Sequence, residues 1–414
     1  SMSTVRVYCA SGVAKPVEQL ATAFNQSFNG NVKIVRTGGS GVLAGQLKTE
    51  FETGMASGAD IFIAADDVLL DQAHAQKIVA ERFVLAKQQA VVAVRADCEL
   101  RIESVKEMIQ DPDLKFGIAS KRAAVGIMIR SIAKREGVLP ELEANKTTDS
   151  ENVMTLAQAL VTGSLDAAVI WDTTVEQLNR VNADGGLPLL KIAAKADPSG
   201  EFQSNIAVGI VSTSKAPTAA LRFARYLTSP EKGQPAFQQF GFSFVKGDRW
   251  EEVPEIHLYC GSMFTPVLES AVREFAVREG VNIYPRWEGC GKLVASMKSI
   301  TDPEIFPDAY LACDVSFLDE VQDLFLPPTN VSTNQIVMAT RKDVSNKIRS
   351  PNDLLEFDLR IGVCDPVQSA LGRLTQHLLS SSDYDGLYEK LEKESAVTVD
   401  VGPTLISQLL AGGL

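Results

Sequence analysis

Histidine is scarce in this chain, with three among 414 residues, and no two cysteines form a Cys-x-x-Cys pair. Structural zinc sites and redox motifs draw on closely spaced cysteine and histidine, so the sequence predicts no metal site and no cofactor. No serine or cysteine nucleophile stands in a recognisable pattern with a histidine base. We therefore expect that this protein is not an enzyme.

The chain also lacks an excess of positive charge, since its formal net charge is -12 and its pI is about 5.0. Nucleic acids and anionic membrane surfaces attract basic proteins, so neither is an expected partner. No apolar run approaches the ~18 residues of a membrane helix, and we expect no direct membrane insertion. No signal peptide is visible, and we interpret the opening Ser-Met-Ser as a tag remnant, with a native signal peptide removed.

Cysteine is present without a metal-binding spacing. The six positions are Cys9, Cys98, Cys260, Cys290, Cys313 and Cys364. Free cysteine usually behaves as a small apolar side chain, so we interpret these residues as core thiols. An alternative stays open for the last four, which fall at or near predicted strand ends: a redox or soft-metal site.

What the chain does have is a regular alternation of strands and helices. VRVYCA (5–10) alternates as a strand does, residues 16–25 carry apolar side chains at helical spacing, and VKIVRT is a second strand. This rhythm predicts an α/β fold with a mostly parallel sheet and helices on both faces.

An internal repeat is the strongest pattern in the sequence. VRVYCASG returns as IHLYCGSM, TGGSGVLAGQL as EGCGKLVASM, and ADIFIAADDVLLD as DAYLACDVSFLD. Three shorter segments recur in the same order. Because chance would not preserve the order of six matches, the sequence predicts a tandem duplication.

The repeat predicts two domains, 4–250 and 255–414. The junction, Trp250–Glu255, is polar and contains proline, as linkers commonly do. Leu414 aligns with Leu165, so the second copy is predicted to be incomplete at its carboxyl end.

The segment 36–47 reads RTGGSGVLAGQL, with Gly-Gly-Ser-Gly directly before a predicted helix that runs through Gln46. Glycine allows close backbone approach, and the first turn of a helix offers free N–H groups to an anion. A dinucleotide is disfavoured because a strand and a helix already precede the loop, and because Asp60 begins the next strand instead of ending it. A P-loop is excluded, since no Lys-[Ser/Thr] follows.

A small free oxyanion remains as the candidate ligand. Ser11 and Gly12 follow the first strand and Ser40 follows the second, at the carboxyl ends of strands where open α/β sheets bind ligands. Each serine alone is also typical of a turn or a helix N-cap. Two of them at matching strand ends favour a binding site.

Several of these segments resemble a known family. VYCASGVAKPVEQLATAF, TGGSGVLAGQL and SGADIFIAADD look like the molybdate-binding protein of ABC transporters, a type II periplasmic solute-binding protein, and 206–244 resembles the closing strand and helices of that superfamily. The resemblance covers nearly all of the first copy and the available part of the second.

This resemblance implies tandem type II periplasmic-binding-protein folds, each with two α/β lobes and a two-strand hinge. In the first copy, lobe 1 would comprise 4–89 and 206–250, and lobe 2 would comprise 90–205. The expected crossings are Ala90–Arg95 and Asn205–Val211.

The resemblance also implies an extracytoplasmic or periplasmic protein that captures a tetrahedral oxyanion, molybdate or tungstate, and delivers it to the permease of an ABC importer. The family holds its ligand with serine hydroxyls, backbone amides and one tyrosine, without counter-charges. Carried over by position, the ligand-binding residues are Ser11, Gly12, Ser40, Val125, Val153 and Trp171. Trp171 replaces the tyrosine, and Asp172 beside it would repel an oxyanion unless turned away. Lys121 and Arg122 are interpreted as exposed surface charges, and a contribution to ligand binding stays open as the alternative.

The second copy is predicted to have a weakened site. Ser262 matches Ser11, but Cys290 replaces Ser40 and Pro403, which has no N–H, replaces Val153. We therefore predict that this copy does not bind the same ligand tightly. An alternative function stays open, in which the chain is a duplicated sensor or interaction module on the same fold, without a role in transport.

Overall fold

The computed structural model describes residues 3–181, 186–394 and 397–414 and divides into two compact units, Ser1–Glu252 (unit 1) and Val253–Leu414 (unit 2). The strands of unit 1 are β1 (Val5–Ala10), β2 (Val32–Gly38), β3 (Ile61–Ala64), β4 (Val79–Gln88), β5 (Ala90–Arg95), β6 (Phe116–Ala119), β7 (Thr148–Ser150), β8 (Ala167–Trp171), β9 (Leu190–Lys195) and β10 (Ser204–Val211). Its α-helices are α1 (Ala14–Phe28), α2 (Ser40–Glu52), α3 (Asp67–Ala75), α4 (Val105–Gln110), α5 (Ala124–Arg135), α6 (Leu139–Asn145), α7 (Val153–Val161), α8 (Asp172–Val181), α9 (Pro217–Thr228) and α10 (Gly233–Gln239). No helix among the described residues has the length and apolar character needed to cross a bilayer.

Two five-stranded sheets organise unit 1, each at the centre of one α/β lobe. Their strand orders are β2-β1-β3-β10-β4 and β7-β6-β8-β5-β9. In the first sheet only β10 runs against its neighbours, and in the second only β5 does. The prediction of a mostly parallel sheet with helices around it is therefore confirmed, and so are the two α/β lobes that the resemblance implies.

The chain passes between the lobes at two places. The first passage is Gln89, between β4 and β5, and the second is 196–203, between β9 and β10. The two segments expected as crossings, Ala90–Arg95 and Asn205–Val211, each pair within one sheet. They are the first strands reached after each passage, so each passage lies just before the segment that was expected to form it.

The central strands are apolar along their whole length because helices cover both faces of each sheet. Every residue of β3, β6 and β8 is buried. Helix α1 buries the apolar face that its spacing predicts, and Phe24 packs on Phe223 and Tyr226 of α9 with ring centroids 5.2 Å apart. Helix α2 extends to Glu52, six residues past its predicted end at Gln46, because Leu47 and Glu50 continue its buried face.

Unit 2 contains shorter sheets. Its strands are β11 (Glu255–Gly261), β12 (Asn282–Glu288), β13 (Ala309–Leu311), β14 (Gly362–Cys364) and β15 (Val397–Val399), in the parallel orders β12-β11-β13 and β14-β15. Its α-helices are α11 (Thr265–Glu279), α12 (Cys290–Ser299), α13 (Val315–Asp319), α14 (Ala370–Leu379), α15 (Leu387–Glu394) and α16 (Gly402–Leu410).

Unit 2 leaves apolar surface uncovered where unit 1 does not. The stretch 327–341, which aligns with the end of β4 and with β5, forms no strand, and Val337 there is 78% exposed. No residue of α11 is buried, whereas the matching α1 packs against α9 and α10. In unit 1 those segments are covered by elements beyond residue 165, and the described part of unit 2 has no equivalents of them.

Candidate functional site

The structure brings all six predicted ligand-binding residues to one cavity in unit 1. The cavity has a volume of about 30 Å³ and is lined by Ala10, Ser11, Gly12, Gly38, Gly39, Ser40, Ala65, Ala123, Ala124, Val125, Glu151, Asn152, Val153 and Trp171. Pockets for drug-sized molecules begin at roughly 300 Å³. This cavity is therefore much smaller than a pocket for a drug-sized molecule.

Lobe 1 supplies two serines. Ser11 opens a single 3-10 turn after β1, and Ser40 is the first residue of α2, after Gly39 as N-cap. The Ser40 hydroxyl oxygen accepts the backbone N–H of Ala65 at 2.9 Å, and Ser40 is only 3% exposed. Because the oxygen is an acceptor in that bond, its own proton remains free to be donated toward the cavity.

Lobe 2 supplies the amino ends of two helices. Ala124 and Val125 are the first residues of α5, and Val153 is the first residue of α7. The first N–H groups of a helix have no acceptor within the helix, and the helix dipole gives that end a partial positive charge. Asn152 caps α7 by accepting the N–H of Met154 at 2.8 Å, which leaves the Val153 N–H beside the cavity.

Trp171 closes the cavity at the end of β8. It is 2% exposed, and its Cδ1 would lie 3.9 Å from a Cβ added to Gly12. Asp172, the next residue, does not line the cavity, because its carboxylate accepts the backbone N–H groups of Gln89 at 3.2 Å and Thr173 at 2.8 Å. Burial raises the pKa of Asp172. The carboxylate that would repel an oxyanion is therefore turned toward the first passage between the lobes.

Among the residues that the structure describes, no cationic side chain lines the cavity, and Glu151 is the one charged residue in its lining. Glu151 pairs with Arg122 at 3.5 Å, with side chains 58% and 72% exposed. The expectation that Lys121 and Arg122 are exposed is confirmed. Among the described residues, no group of three or more His, Cys, Asp or Glu could hold a metal ion. Apart from the paired Glu151 carboxylate, the polar groups of the described lining residues are therefore hydroxyls and amides.

A backbone contact that the sequence did not reveal holds the two lobes together around the cavity. The Gly41 N–H of lobe 1 donates to the carbonyl oxygen of Arg122 in lobe 2 at 2.9 Å. A Cβ added to Gly41 would lie 2.0 Å from the same oxygen. The glycine-rich loop was interpreted as allowing the close approach of a ligand. At Gly41 the missing side chain instead allows the close approach of the backbone of lobe 2. Gln177 adds a second link, donating to the Gly12 carbonyl at 3.1 Å.

Unit 2 repeats the backbone contact of Gly41. Gly291 donates its N–H to the carbonyl of Gln368 at 2.9 Å, as Gly41 does to Arg122.

The start of helix α16 in unit 2 corrects one prediction. This helix begins at Gly402, which therefore takes the place of Val153. The prediction that Pro403 takes that place is wrong by one residue. Pro403 instead matches Met154, whose capped N–H it lacks, and the cap residue is Val401 in place of Asn152.

Asp66, next to the cavity residue Ala65, gives the site a testable pH dependence. Burial raises the pKa of Asp66 to about 6 from 3.8, and the residue is 8% exposed. The folded state thus binds this proton more tightly than the unfolded state, so its stabilising contribution is present below about pH 4 and is lost as pH rises through about 6. The resulting change in the free energy of unfolding between these pH values is up to about 3 kcal/mol. We expect Asp66→Asn, which keeps the N-cap of α3, to remove this change.

Urea unfolding of the wild type and of Asp66→Asn between about pH 4 and 7 measures this effect. Asp113→Asn, at an exposed position, controls for the loss of one negative charge. Parallel pH profiles for the wild type and Asp66→Asn would contradict the assignment.

Comparisons with known proteins match this architecture. The family model described as bacterial extracellular solute-binding protein matches residues 5–243 and 256–413. A protein of Haemophilus influenzae, named as a binding protein without a stated ligand, is 24% identical over 237 residues, which is 57% of this chain and 89% of that protein.

Two solved structures are also similar. The periplasmic binding protein AfuA from Actinobacillus pleuropneumoniae, bound to fructose-6-phosphate, has a TM-score of 0.50 and 14% identity and covers 61% of this chain and 88% of its own. The periplasmic molybdate-binding protein of Azotobacter vinelandii has a TM-score of 0.49 and 16% identity over 58% of this chain and 100% of its own. Identities this low indicate the fold and not the ligand.

Proposed function

Because the chain belongs to the bacterial extracellular solute-binding protein family, we propose that it captures a small tetrahedral oxyanion, molybdate or tungstate first, for the permease of an ABC importer. The observation that carries this proposal is the convergence of the Ser40 hydroxyl and the amino ends of α5 and α7 on one small cavity. Members of the family are binding proteins of ABC transporters, so we assign this chain a role outside the cytoplasm and no catalysis.

A dianion suits this cavity better than other solutes do. Fixed hydroxyl and amide donors need no reorganisation, and a hydrogen bond to a charged group contributes roughly 1.5–3 kcal/mol. A ferric ion would need anionic oxygen ligands, and the single lining carboxylate, Glu151, pairs with Arg122.

Capture would proceed by closure of the lobes about the two passages at Gln89 and 196–203. Lobe 1 would offer Ser11, Gly12 and Ser40, and the amides of Val125 and Val153 would reach the ligand only when lobe 2 closes. Such hinge closure excludes water and strengthens each polar contact. Trp171 would form the apolar wall of the closed cavity.

The second unit supports a further proposal, a tandem duplication with domains 4–250 and 255–414. The same family model matches both stretches, and Gly291 repeats the lobe contact of Gly41. Since the described part of unit 2 has fewer strands and a thiol in place of the Ser40 hydroxyl, it would not hold the same ligand tightly. A duplicated sensor or interaction module remains the second candidate function, because unit 2 keeps the backbone contact of Gly291 but has no serine at the position of Ser40.

Thermal unfolding with molybdate, tungstate, sulfate, phosphate and Fe(III) tests the ligand. A ligand at about 100 times its Kd adds about 2.7 kcal/mol of stability, a shift of a few degrees. We expect the shift with molybdate or tungstate and its loss in Ser40→Ala, whereas Ser131→Ala, whose hydroxyl donates to the Ile127 carbonyl within α5, keeps it. A shift with another anion alone would replace molybdate as the ligand, and no shift with any of them would contradict the transport proposal.

A further inference from the structure

Unit 2 has two thiols at positions where unit 1 has residues of its oxyanion cavity. The repeat pairs Cys290 with Ser40 and Cys313 with Ala65. Cys290 is the first residue of α12, as Ser40 is of α2, and Cys313 follows β13 as Ala65 follows β3. The same place in the fold therefore presents sulfur in unit 2 and oxygen in unit 1.

The local geometry of the two places is also the same. The Cys290 Sγ accepts the backbone N–H of Cys313 at 3.3 Å, which repeats the hydrogen bond from the Ala65 N–H to the Ser40 hydroxyl. Cys290 is 1% exposed and Cys313 is half-buried, so the pair lies at the edge of the interior.

A glycine makes the space that the two sulfurs occupy. A Cβ added to Gly261 would lie 2.1 Å from the Cys313 Sγ and 3.1 Å from the Cys290 Sγ. In unit 1 the matching residue is Ala10, which has a Cβ, and the residues that match the two cysteines, Ser40 and Ala65, contain no sulfur. Both sulfurs therefore lie close to the position that a Cβ of residue 261 would occupy, and only glycine at this position leaves room for them.

We propose that Cys290 and Cys313 form a two-sulfur site for a thiophilic monovalent ion such as Cu(I). Soft thiolate ligands select such ions over the hard oxyanions that hydroxyls and amides bind. Binding forms two metal–sulfur bonds and releases two thiol protons to solvent, and no electron is transferred. Two sulfurs suit the low coordination number of Cu(I) better than the four ligands of structural zinc.

Competition against bathocuproine disulfonate, a coloured Cu(I) chelator, tests the site in the full chain under anaerobic conditions with ascorbate. We expect each wild-type chain to take one equivalent of Cu(I) from the chelator. The double variant Cys290→Ser/Cys313→Ala installs the residues that unit 1 has at these positions, and we expect it to bind roughly 100-fold more weakly or worse. Cys364→Ser, a change at the end of β14 in the same unit, serves as the matched control and keeps the binding.

Thermal unfolding without copper checks that the double variant remains folded, and Cys313→Ala alone replaces it if it does not. Undiminished Cu(I) withdrawal by a folded variant lacking either sulfur would overturn the proposal. So would a wild type that withdraws no Cu(I) while alkylation finds both thiols free. Because unit 1 is unchanged in every variant, failure here leaves the oxyanion proposal intact.

Discussion

Replacing Gly41 with alanine is expected to weaken oxyanion binding by at least about 100-fold while both lobes of unit 1 stay folded. The added Cβ would lie 2.0 Å from the Arg122 carbonyl oxygen, a distance that only a shift of backbone could relieve. That oxygen belongs to lobe 2, and it accepts the Gly41 N–H in the closed arrangement. The variant would hold the lobes apart, so the amides at the start of α5 and α7 could not reach a ligand bound to Ser40.

Gly45→Ala is the matched control for this change. Gly45 lies in the same helix α2, and a Cβ there would meet no atom within 4 Å. We expect unchanged affinity and a gain of roughly 0.5–1 kcal/mol in stability, since alanine favours a helix over glycine. Isothermal titration with the ligand identified in the thermal panel, beside small-angle scattering, measures affinity and closure. Wild-type affinity in Gly41→Ala would show that binding does not need the closed contact.

Arg130→Ala is expected to lower the free energy of unfolding by about 3 kcal/mol or more, the largest stability loss among these variants. Arg130 lies in α5 with its side chain 10% exposed. It donates to Glu143 at 2.7 Å, to Asp149 at 3.0 Å and to the Ala119 carbonyl at 2.8 Å. Its removal would leave Lys146, which pairs with both Glu143 and Asp149, as the remaining described cation beside these carboxylates. It would also remove the hydrogen bonds that tie α5 to β6 and β7.

Lys134→Ala, an exposed substitution in α5, controls for the loss of one positive charge on that helix. Urea unfolding at neutral pH measures both variants. Since α5 supplies the Val125 amide, we also expect Arg130→Ala to lower the affinity for the ligand at temperatures where the variant is still folded. Equal stability of the two variants would mean that the Arg130 network is solvated and contributes little.

The sequence predicted the fold well where patterns are local or repeated. The alternation of strands and helices predicted an α/β fold with a mostly parallel sheet, because burial on both sheet faces requires continuous apolar strands such as β3 and β8. The two lobes were implied by the family resemblance. Ser11 and Ser40 were predicted from their places at strand ends and Trp171 from the resemblance, and the structure brings the three together. Their roles in binding remain predictions.

What the sequence could not provide was any feature that depends on distant backbone. The contact between Gly41 and Arg122 joins residues from different lobes, and nothing in either local sequence marks it. The match of Pro403 to Val153 failed by one residue because only the helix start at Gly402 fixes the register there. The contact between Cys290 and Cys313 likewise required the fold, since 22 residues separate them without a metal-binding spacing.

The strand order of unit 1 also determines when each lobe can be completed during synthesis on a ribosome. All strands of the second sheet, β5 to β9, lie in one continuous stretch, so that lobe can form as soon as β9 emerges. In the first sheet β10 lies between β3 and β4, and β4 has no other strand partner. A nascent chain would therefore carry β4 unpaired until the whole of lobe 2 has been translated, and the lobe that begins the chain would be the last to finish folding.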